Sequence, residues 1–285
     1  MNKTAGWING FLGVLIFSGS LTATRLAVID IDPTFVTMAR ASIAGLLGLM
    51  LLMALRAPFP RRADIVSLII VALGVVVGFP LLTGLALQHM TSAHAIVFIG
   101  LLPLSTAIFA VLRGGEHPRP LFWLFSGVGG LIVASYAYGQ GGQTTLLGDM
   151  LMLAAIIACG LGYAEGASLS RRLGGWQVIC WALVFALPVM LPLGILTRPD
   201  TWSNIGAMAW GGLAYVTLFS MLIGFFFWYR GLAQGGAAAV GQLQLLQPFF
   251  GLMLAAGIAG EPVSMGMVMT AGVVVLCVAG AKKYA

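Results

Sequence analysis

Charged residues are scarce in this chain: Lys, Arg, Asp and Glu together make up 8% of 285 residues. Soluble domains carry about 25% charged residues and at most about half apolar ones. Here 60% of the residues are hydrophobic and the mean hydropathy is +1.03. A soluble fold of this length has too little interior to bury so many apolar side chains. The composition therefore excludes a soluble domain and a disordered chain, and it predicts an all-α, polytopic membrane protein.

Sequence motifs for catalysis and metal binding are also missing. The sequence contains no H-E-x-x-H, no phosphate-binding P-loop and no G-x-S-x-G. Its three cysteines, Cys159, Cys180 and Cys277, lie in apolar runs, which is typical of buried thiols rather than of a disulfide or a metal site. We therefore predict no enzymatic activity, no cofactor and no metal. The net charge of +6 indicates membrane topology and contact with the lipid bilayer rather than nucleic-acid binding.

The sequence does contain long apolar runs, and these are separated by charged residues, Pro and Gly. A helix that crosses a bilayer needs about 20 mostly apolar residues, and the runs predict ten such spans. The predicted ranges are 7–24, 34–55, 65–87, 92–112, 120–138, 147–169, 175–197, 206–229, 236–258 and 263–281.

Basic residues are distributed unequally over the segments between these spans. With the N-terminus in the cytoplasm, the inner segments hold eleven Lys and Arg, whereas the outer segments hold only Arg25 and Arg198. Cytoplasmic loops of membrane proteins are enriched in basic residues. Because ten is an even number of spans, we predict that both the N-terminus and the C-terminus are cytoplasmic.

The chain also repeats itself at an offset of 145 residues. This offset aligns Pro103 with Pro248 and Glu116 with Glu261, and each Glu follows a Gly. Pro and Glu are rare in these runs, so their coincidence carries more weight than the matches among apolar residues. The sequence therefore predicts an internal duplication.

Each predicted repeat contains five spans, residues 1–140 in the first and residues 141–285 in the second. Because five is odd, the two repeats must have opposite orientations in the membrane. Inverted repeats place a substrate site near the bilayer midplane and move by alternating access. This arrangement predicts a secondary transporter.

Two prolines and two glutamates mark equivalent positions in the repeats. Pro103 and Pro248 fall near the middle of the fourth and ninth spans, where a proline kinks a helix. The kink either moves during access or is a static packing feature. Glu116 and Glu261 are expected to stabilise the beginnings of the helices that follow them.

Three further ionisable residues lie within or at the edge of a span. Arg40 would cost about 3 kcal/mol if it faced lipid near the membrane centre, so we expect its side chain to reach the outer face. Glu165 either lines a pathway or pairs with Arg171 and Arg172. His94 is expected to begin the fourth helix.

Amide side chains are concentrated in the ninth span. Gln244, Gln247 and Gly251 are spaced by three and four residues, so they share one helix face beside Pro248. Uncharged amides at this depth either bind the carboxylate or ammonium group of a zwitterion or join neighbouring helices. Gln242 points away from Gln244 and is expected to contact another helix.

Glycine is abundant, with 39 residues. About five Gly-x-x-x-Gly pairs are expected by chance at this abundance, so the motif does not indicate a dimer. The oligomeric state stays open, and a monomer is compatible with the sequence. The pairs are Gly6/Gly10, Gly74/Gly78, Gly162/Gly166 and Gly231/Gly235.

Residues 85–118 and 228–264 resemble the two repeat signatures of EamA-type transporters in the drug/metabolite transporter superfamily. Each stretch contains a run of small residues, a proline and a Gly-Glu pair. The overall pattern is similar to the aromatic amino acid exporter group. The resemblance covers essentially the whole chain and implies a multi-pass transporter in the bacterial inner (plasma) membrane. Its implied substrates are amino acids, neutral and aromatic ones among them, exported with broad specificity.

In that group the central cavity is lined mainly by helices 1, 3, 4, 6, 8 and 9. Carried onto this chain, the resemblance implies the substrate-binding residues Phe17, Phe79, Thr83, Phe98, Pro103, Tyr163, Ser220, Gln244 and Gln247. The first span has no acidic residue, unlike the small four-helix multidrug members, which argues against proton-coupled export of cationic drugs. The alternative is a multidrug exporter or an exporter of another metabolite, and the coupling ion stays open.

Overall fold

The computed structural model describes residues 3–86, 89, 98–139, 145–259 and 265–285, and helices are the regular elements throughout these ranges. We number the helices in chain order and treat irregular turns as part of the helix that contains them. They are α1 (Lys3–Ser18 and Ser20–Ala27), α2 (Pro33–Ala54), α3 (Arg62–Ala86), α4 (Leu102–Gly114), α5 (Pro120–Gly139), α6 (Leu146–Leu173), α7 (Gly175–Leu196), α8 (Ala207–Gly235), α9 (Ala237–Gly241, Gln242–Leu246 and Gln247–Ala259) and α10 (Met265–Tyr284).

Six of these helices, α1, α2, α3, α6, α7 and α8, are long and apolar enough to cross a membrane. Shorter apolar helices are found in α4 and α5. The predicted all-helical, multi-pass character of the chain is therefore confirmed. The count of ten spans and the cytoplasmic position of both termini stay predictions. His94 and Glu261 lie outside the described residues.

Helix starts follow from capping side chains. The Asp32 carboxylate accepts hydrogen bonds from the backbone N–H groups of Thr34 (2.8 Å) and Phe35 (3.2 Å), and Pro33 occupies the first position of α2. Thr145 Oγ1 accepts a hydrogen bond from the N–H of Gly148 at the start of α6 (3.2 Å). These side chains replace backbone partners that the first turn of a helix lacks.

The helices of the first half pack mainly on helices of the second half. The main pairs are α1 with α8, α3 with α6, α2 with α7, α4 with α6, α4 with α9 and α5 with α10. Exchanging the two halves turns the α1–α8 pair into the α6–α3 pair and the α4–α6 pair into the α9–α1 pair, which also packs together, and it leaves the other three pairs unchanged. A two-fold relation between repeats has this property. The pattern supports the predicted division into inverted repeats at 1–140 and 141–285, which stays a prediction.

Glycines make the closest of these contacts. A Cβ atom added at Gly6 would lie 2.6 Å from the backbone nitrogen of Gly235, and one at Gly231 would lie 2.5 Å from that of Gly10. Likewise, a Cβ atom at Gly162 would lie 2.6 Å from a methyl carbon of Val75. The Gly-x-x-x-Gly pairs thus let helices of one chain approach closely, which is their general effect in membrane helices.

Two helices contain π-helical segments at equivalent positions. One is Ala72–Gly78 in α3 and the other is Val216–Ile223 in α8. The repeat offset of 145 residues places 72–78 on 217–223. Such segments are rare, and they occur frequently at functional sites.

The two prolines differ in position: Pro103 lies in the first turn of α4, which corrects the prediction that it lies near the middle of a helix, whereas Pro248 lies in the middle of α9, as predicted. Pro103 is the second residue of α4 and follows a turn at residues 100–101. Pro248 is the second residue of Gln247–Ala259 and follows the 3₁₀ stretch Gln242–Leu246. Proline lacks a backbone N–H, so the first turn accommodates it without loss of a hydrogen bond.

Candidate substrate site and arginine network

Five aromatic side chains from three helices meet inside the bundle. Phe17 of α1 and Tyr163 of α6 contact Phe225, Trp228 and Tyr229 of α8, and all five are buried. Ring centroids are 4.9 Å apart for Phe17–Phe225 and 5.5 Å apart for Tyr163–Trp228. The three α8 residues are spaced by three and four, so they share one helix face. We call these five residues the aromatic cluster.

Polar atoms without partners lie in and beside the aromatic cluster. Trp228 is 0% exposed and its Nε1–H has no hydrogen-bond acceptor in the described part of the chain. Gln244, in the 3₁₀ stretch of α9, is 2% exposed; its side chain is close to Tyr163 and its Oε1 has no donor. A buried polar group without a partner costs about 1–3 kcal/mol. Such groups favour a site that a polar ligand completes.

The structure brings three of the nine predicted site residues together here, Phe17, Tyr163 and Gln244. Sequence reasoning missed Phe225, Trp228 and Tyr229. Trp228 and Tyr229 stand beside Arg230 near the end of a predicted span, a position typical of aromatics at the membrane–water interface, but both are fully buried. Their aromatic spacing on one face of α8 is the signal that identifies them.

The other six predicted site residues lie elsewhere in the same bundle. Ser220, in the π segment of α8, accepts a hydrogen bond from the Ser20 hydroxyl (2.8 Å). Phe79 and Phe98 are half-buried against the core, and Pro103 is buried. Gln247 is half-buried. The Thr83 hydroxyl is buried without a partner among the described residues.

Ion pairs lie at one end of the bundle, where α4 and α6 end and where α3 and α9 begin. Arg113 Nε is 2.5 Å from Glu165 Oε1, and Arg171 Nη1 is 3.9 Å from Glu116 Oε1. Arg172 pairs with Asp64, which is fully buried. Each pair joins the first half of the chain to the second. The arginine network comprises Asp64, Arg113, Glu116, Glu165, Arg171 and Arg172.

Glu116 also caps α9. Its Oε1 accepts a hydrogen bond from the N–H of Ala237 (2.7 Å), and its Oε2 accepts one from the N–H of Ala238 (2.9 Å). Only Gly236 separates α8 from α9, and its φ of +92° is a conformation that side chains with a Cβ rarely adopt. This short turn places the free N–H groups of α9 beside the carboxylate. A helix-capping role was predicted correctly, but the capped helix belongs to the other half of the chain.

One further prediction about charges is corrected. Glu165 pairs with Arg113 of α4 rather than with Arg171 or Arg172, which follow it on its own helix. Arg40 is partly exposed and its Nε is buried, and its reach to the outer face stays a prediction. Gln242 is fully buried and donates to the carbonyl of Ala238 in its own helix (3.4 Å), and its contact with another helix stays a prediction.

Two apolar grooves lie on the outside of the bundle. The groove between α5 and α10 has a volume of about 430 Å³ and includes Leu131, and the groove between α4 and α6 has about 320 Å³ and includes Ile157. Both residues are exposed, as expected of helix faces in contact with lipid. Neither groove contains a predicted site residue.

Comparison with known proteins decides the family. The model of the EamA-like transporter family matches residues 4–136 and, a second time, residues 146–281. The chain belongs to the EamA-like transporter family. Membership confirms the predicted transport function at this level. The narrower grouping with aromatic amino acid exporters stays a prediction.

Relatives of this EamA-like transporter cover most or all of its length. The uncharacterized transporter YdeK of Bacillus subtilis is 66% identical over 286 residues, which is 100% of both chains. An uncharacterized transporter of Synechocystis is 24% identical over 257 residues, 83% of this chain and 77% of the relative. A solved crystal structure with 18% sequence identity has a TM-score of 0.84 and covers 100% of both chains. At that identity the similarity shows the fold alone.

Proposed function

We propose that this transporter exports neutral amino acids, aromatic ones among them, across the bacterial inner membrane by alternating access. The observation that carries the proposal is the unpaired indole N–H of Trp228 with the unpaired amide oxygen of Gln244 near the aromatic cluster. An indole N–H donates to a carboxylate, and an amide oxygen accepts from an ammonium group. The surrounding rings offer edge and face contacts to an apolar or aromatic side chain.

The charge of the site favours a substrate without net charge. Tyr163, Trp228 and Gln244 bring no ionised group to the aromatic cluster at neutral pH. A charged side chain on the substrate would be transferred into an apolar environment without an opposite charge, which is costly within a membrane. A zwitterion has a carboxylate and an ammonium group that the unpaired donor and acceptor match.

In the proposed alternating-access cycle, the arginine network keeps one end of the bundle closed. Except for Glu165, its residues belong to the predicted cytoplasmic segments, and the network joins the two halves where α9 begins. Release of Glu116 from the N-terminus of α9 allows that end to open. In the conformation described here, the substrate exchanges at the opposite end of the bundle.

Transport by the purified protein in proteoliposomes tests the substrate class. Labelled phenylalanine and leucine should exchange faster than lysine and glutamate, relative to liposomes without protein. If no amino acid is exchanged, the proposed substrate class is wrong. Transport of lipophilic cations in the same vesicles would instead favour the multidrug alternative.

A substitution that keeps an aromatic ring tests the site. Trp228→Phe keeps an aromatic ring but removes the N–H, and it should raise KM for phenylalanine about 10-fold, because a hydrogen bond to a charged group contributes about 1.5–3 kcal/mol. Trp181→Phe is the matched control, since the Trp181 N–H is also unpaired but its ring contacts Phe59 and Phe185. Equal effects of the two substitutions would argue against the aromatic cluster as the substrate site.

A further inference from the structure

Arg40 lies inside the bundle without a counter-charge. It is the eighth residue of α2, and Val36 and Ala44, one turn away on the same helix face, are 1% and 0% exposed. Its Nε is buried, and Arg40 makes no hydrogen bond or ion pair in the described part of the chain. The acids nearest the start of α2 are engaged elsewhere: Asp32 caps α2, and Asp30 accepts from the N–H of Gly206.

An unpaired arginine at this depth costs about 3 kcal/mol, so its retention requires an explanation. Its Nε atom is enclosed by protein, yet the residue keeps some accessible surface. The Arg40 guanidinium is therefore partly buried and still accessible to a ligand.

The elements packed against α2 contribute hydroxyl groups but no anion among the residues that the structure describes. They include the π segment Val216–Ile223 and residues Phe79–Ala86 of α3. These stretches contribute the hydroxyls of Ser220 and Thr83, and the Thr83 hydroxyl has no partner within the described ranges. A guanidinium with no carboxylate of its own is available to a carboxylate that enters from outside.

We propose that Arg40 is a second binding station on the transport pathway and that it binds the substrate carboxylate. The proposal rests on the proposed function and narrows it, because it makes a carboxylate a required part of the substrate. A guanidinium binds a carboxylate through two parallel hydrogen bonds. Arg40 lies about 11 Å from the start of α2, as judged from the rise of 1.5 Å per residue, at the end of the bundle opposite the arginine network. The substrate thus contacts it when that end is open.

Chemical labelling of the wild-type protein tests this station without any transport measurement. Phenylglyoxal modifies guanidinium groups, and peptide mass spectrometry measures its reaction at Arg40. We expect 3-phenylpropionate and phenylalanine to slow this reaction at least about 5-fold, and the neutral 3-phenylpropanamide to leave it unchanged. Arg198, which is exposed, is the internal control and should react equally in all samples. Absence of any reaction at Arg40, or equal protection by the amide, would overturn the proposal.

Transport by two variants separates this inference from the proposed function. Arg40→Gln should raise KM for phenylalanine at least about 10-fold, and Arg40→Lys should give a smaller increase because a lysine keeps the charge but not the paired donors. Phenylalaninamide, which lacks the carboxylate, should be transported poorly by the wild type and equally poorly by both variants. An unchanged KM for phenylalanine in Arg40→Gln rejects the station and leaves the proposed function standing. If the wild type moves no amino acid, the proposed function is rejected, and the labelling result alone decides the role of Arg40.

Discussion

The arginine network and the aromatic cluster contain buried polar groups in opposite states. In the network, Glu116 accepts two backbone hydrogen bonds and Glu165 is paired with Arg113. In and beside the cluster, the Trp228 N–H and the Gln244 oxygen lack partners among the residues that the structure describes. Because an unpaired buried group costs free energy and a paired one does not, the first region stabilises this conformation. The second region has a hydrogen-bond donor and an acceptor that are available to a ligand.

The largest effect is expected from breaking the Arg113–Glu165 pair from one side. Arg113→Ala leaves Glu165, whose side chain is 7% exposed, without its cation. A buried charge that loses its partner destabilises a fold by about 3 kcal/mol. Thermal or denaturant unfolding in detergent micelles measures the loss. Glu165→Gln removes the buried charge itself, so a loss as large as that of Arg113→Ala would contradict this explanation.

A smaller loss is expected when the cap of α9 is removed. Glu116→Ala deletes the acceptor for the N–H groups of Ala237 and Ala238, and loss of a helix cap costs about 1 kcal/mol. Hydrogen exchange followed by mass spectrometry should show faster exchange in the peptide that begins α9. Glu116→Gln keeps an acceptor oxygen and should fall between Glu116→Ala and the wild type. Unchanged exchange in Glu116→Ala would mean that the contact does not hold the halves together.

A gain in stability, rather than a loss, is expected from a substitution near the aromatic cluster. Gln244→Met replaces an amide whose oxygen is unpaired among the described residues by an apolar side chain of similar length, so the free energy of unfolding should rise by about 1 kcal/mol. The same variant should lose affinity for phenylalanine. Gln242→Met is the control: its amide oxygen is also unpaired, but its NH₂ group bonds within α9, whereas the Gln244 side chain is directed to Tyr163. If only Gln242→Met weakened binding, Gln244 would not be part of the site.

The smallest expected effect is the dependence of stability on salt, which concerns the arginine network and not the aromatic cluster. The side chain of Arg113 is 50% exposed. Added salt therefore weakens the electrostatic attraction between Arg113 and Glu165. Raising the salt concentration should therefore lower the unfolding free energy of the wild type by less than about 1 kcal/mol. A variant with both Arg113→Ala and Glu165→Gln should show a weaker salt dependence. Equal salt dependence in both proteins would argue against an energetic role for this ion pair.

Local patterns in the sequence predict some of this architecture well. The helical class and the multi-pass character follow from apolar runs, and burial of Cys159, Cys180 and Cys277 follows from their position in those runs. The Gln244 amide is recognisable because a polar side chain in a membrane helix must face protein or water. Each of these inferences uses residues that are close together along the chain.

Contacts between distant parts of the chain are harder to predict. The partner of Glu116 lies 121 residues further along, and the local rule for helix starts selected the wrong helix. Trp228 and Tyr229 stand near Arg230, so they resemble interfacial aromatics until the packing of α8 against α1 and α6 is known. Arg40 was expected to avoid the membrane interior, whereas the fold buries its Nε atom without a partner among the described residues.

The π segments of α3 and α8 determine how the side chains that follow them are rotated around the helix axis. An α-helix turns by about 100° per residue, and a π turn accommodates additional residues through wider hydrogen-bonded rings. Trp228 follows Val216–Ile223 along the chain. The direction of its side chain around the axis of α8 therefore depends on the additional residues in the π segment. Removing one residue from the segment would rotate Trp228 away from Tyr163 without changing any side chain of the aromatic cluster. In this fold, insertion or deletion of a single residue is therefore a route to a different specificity.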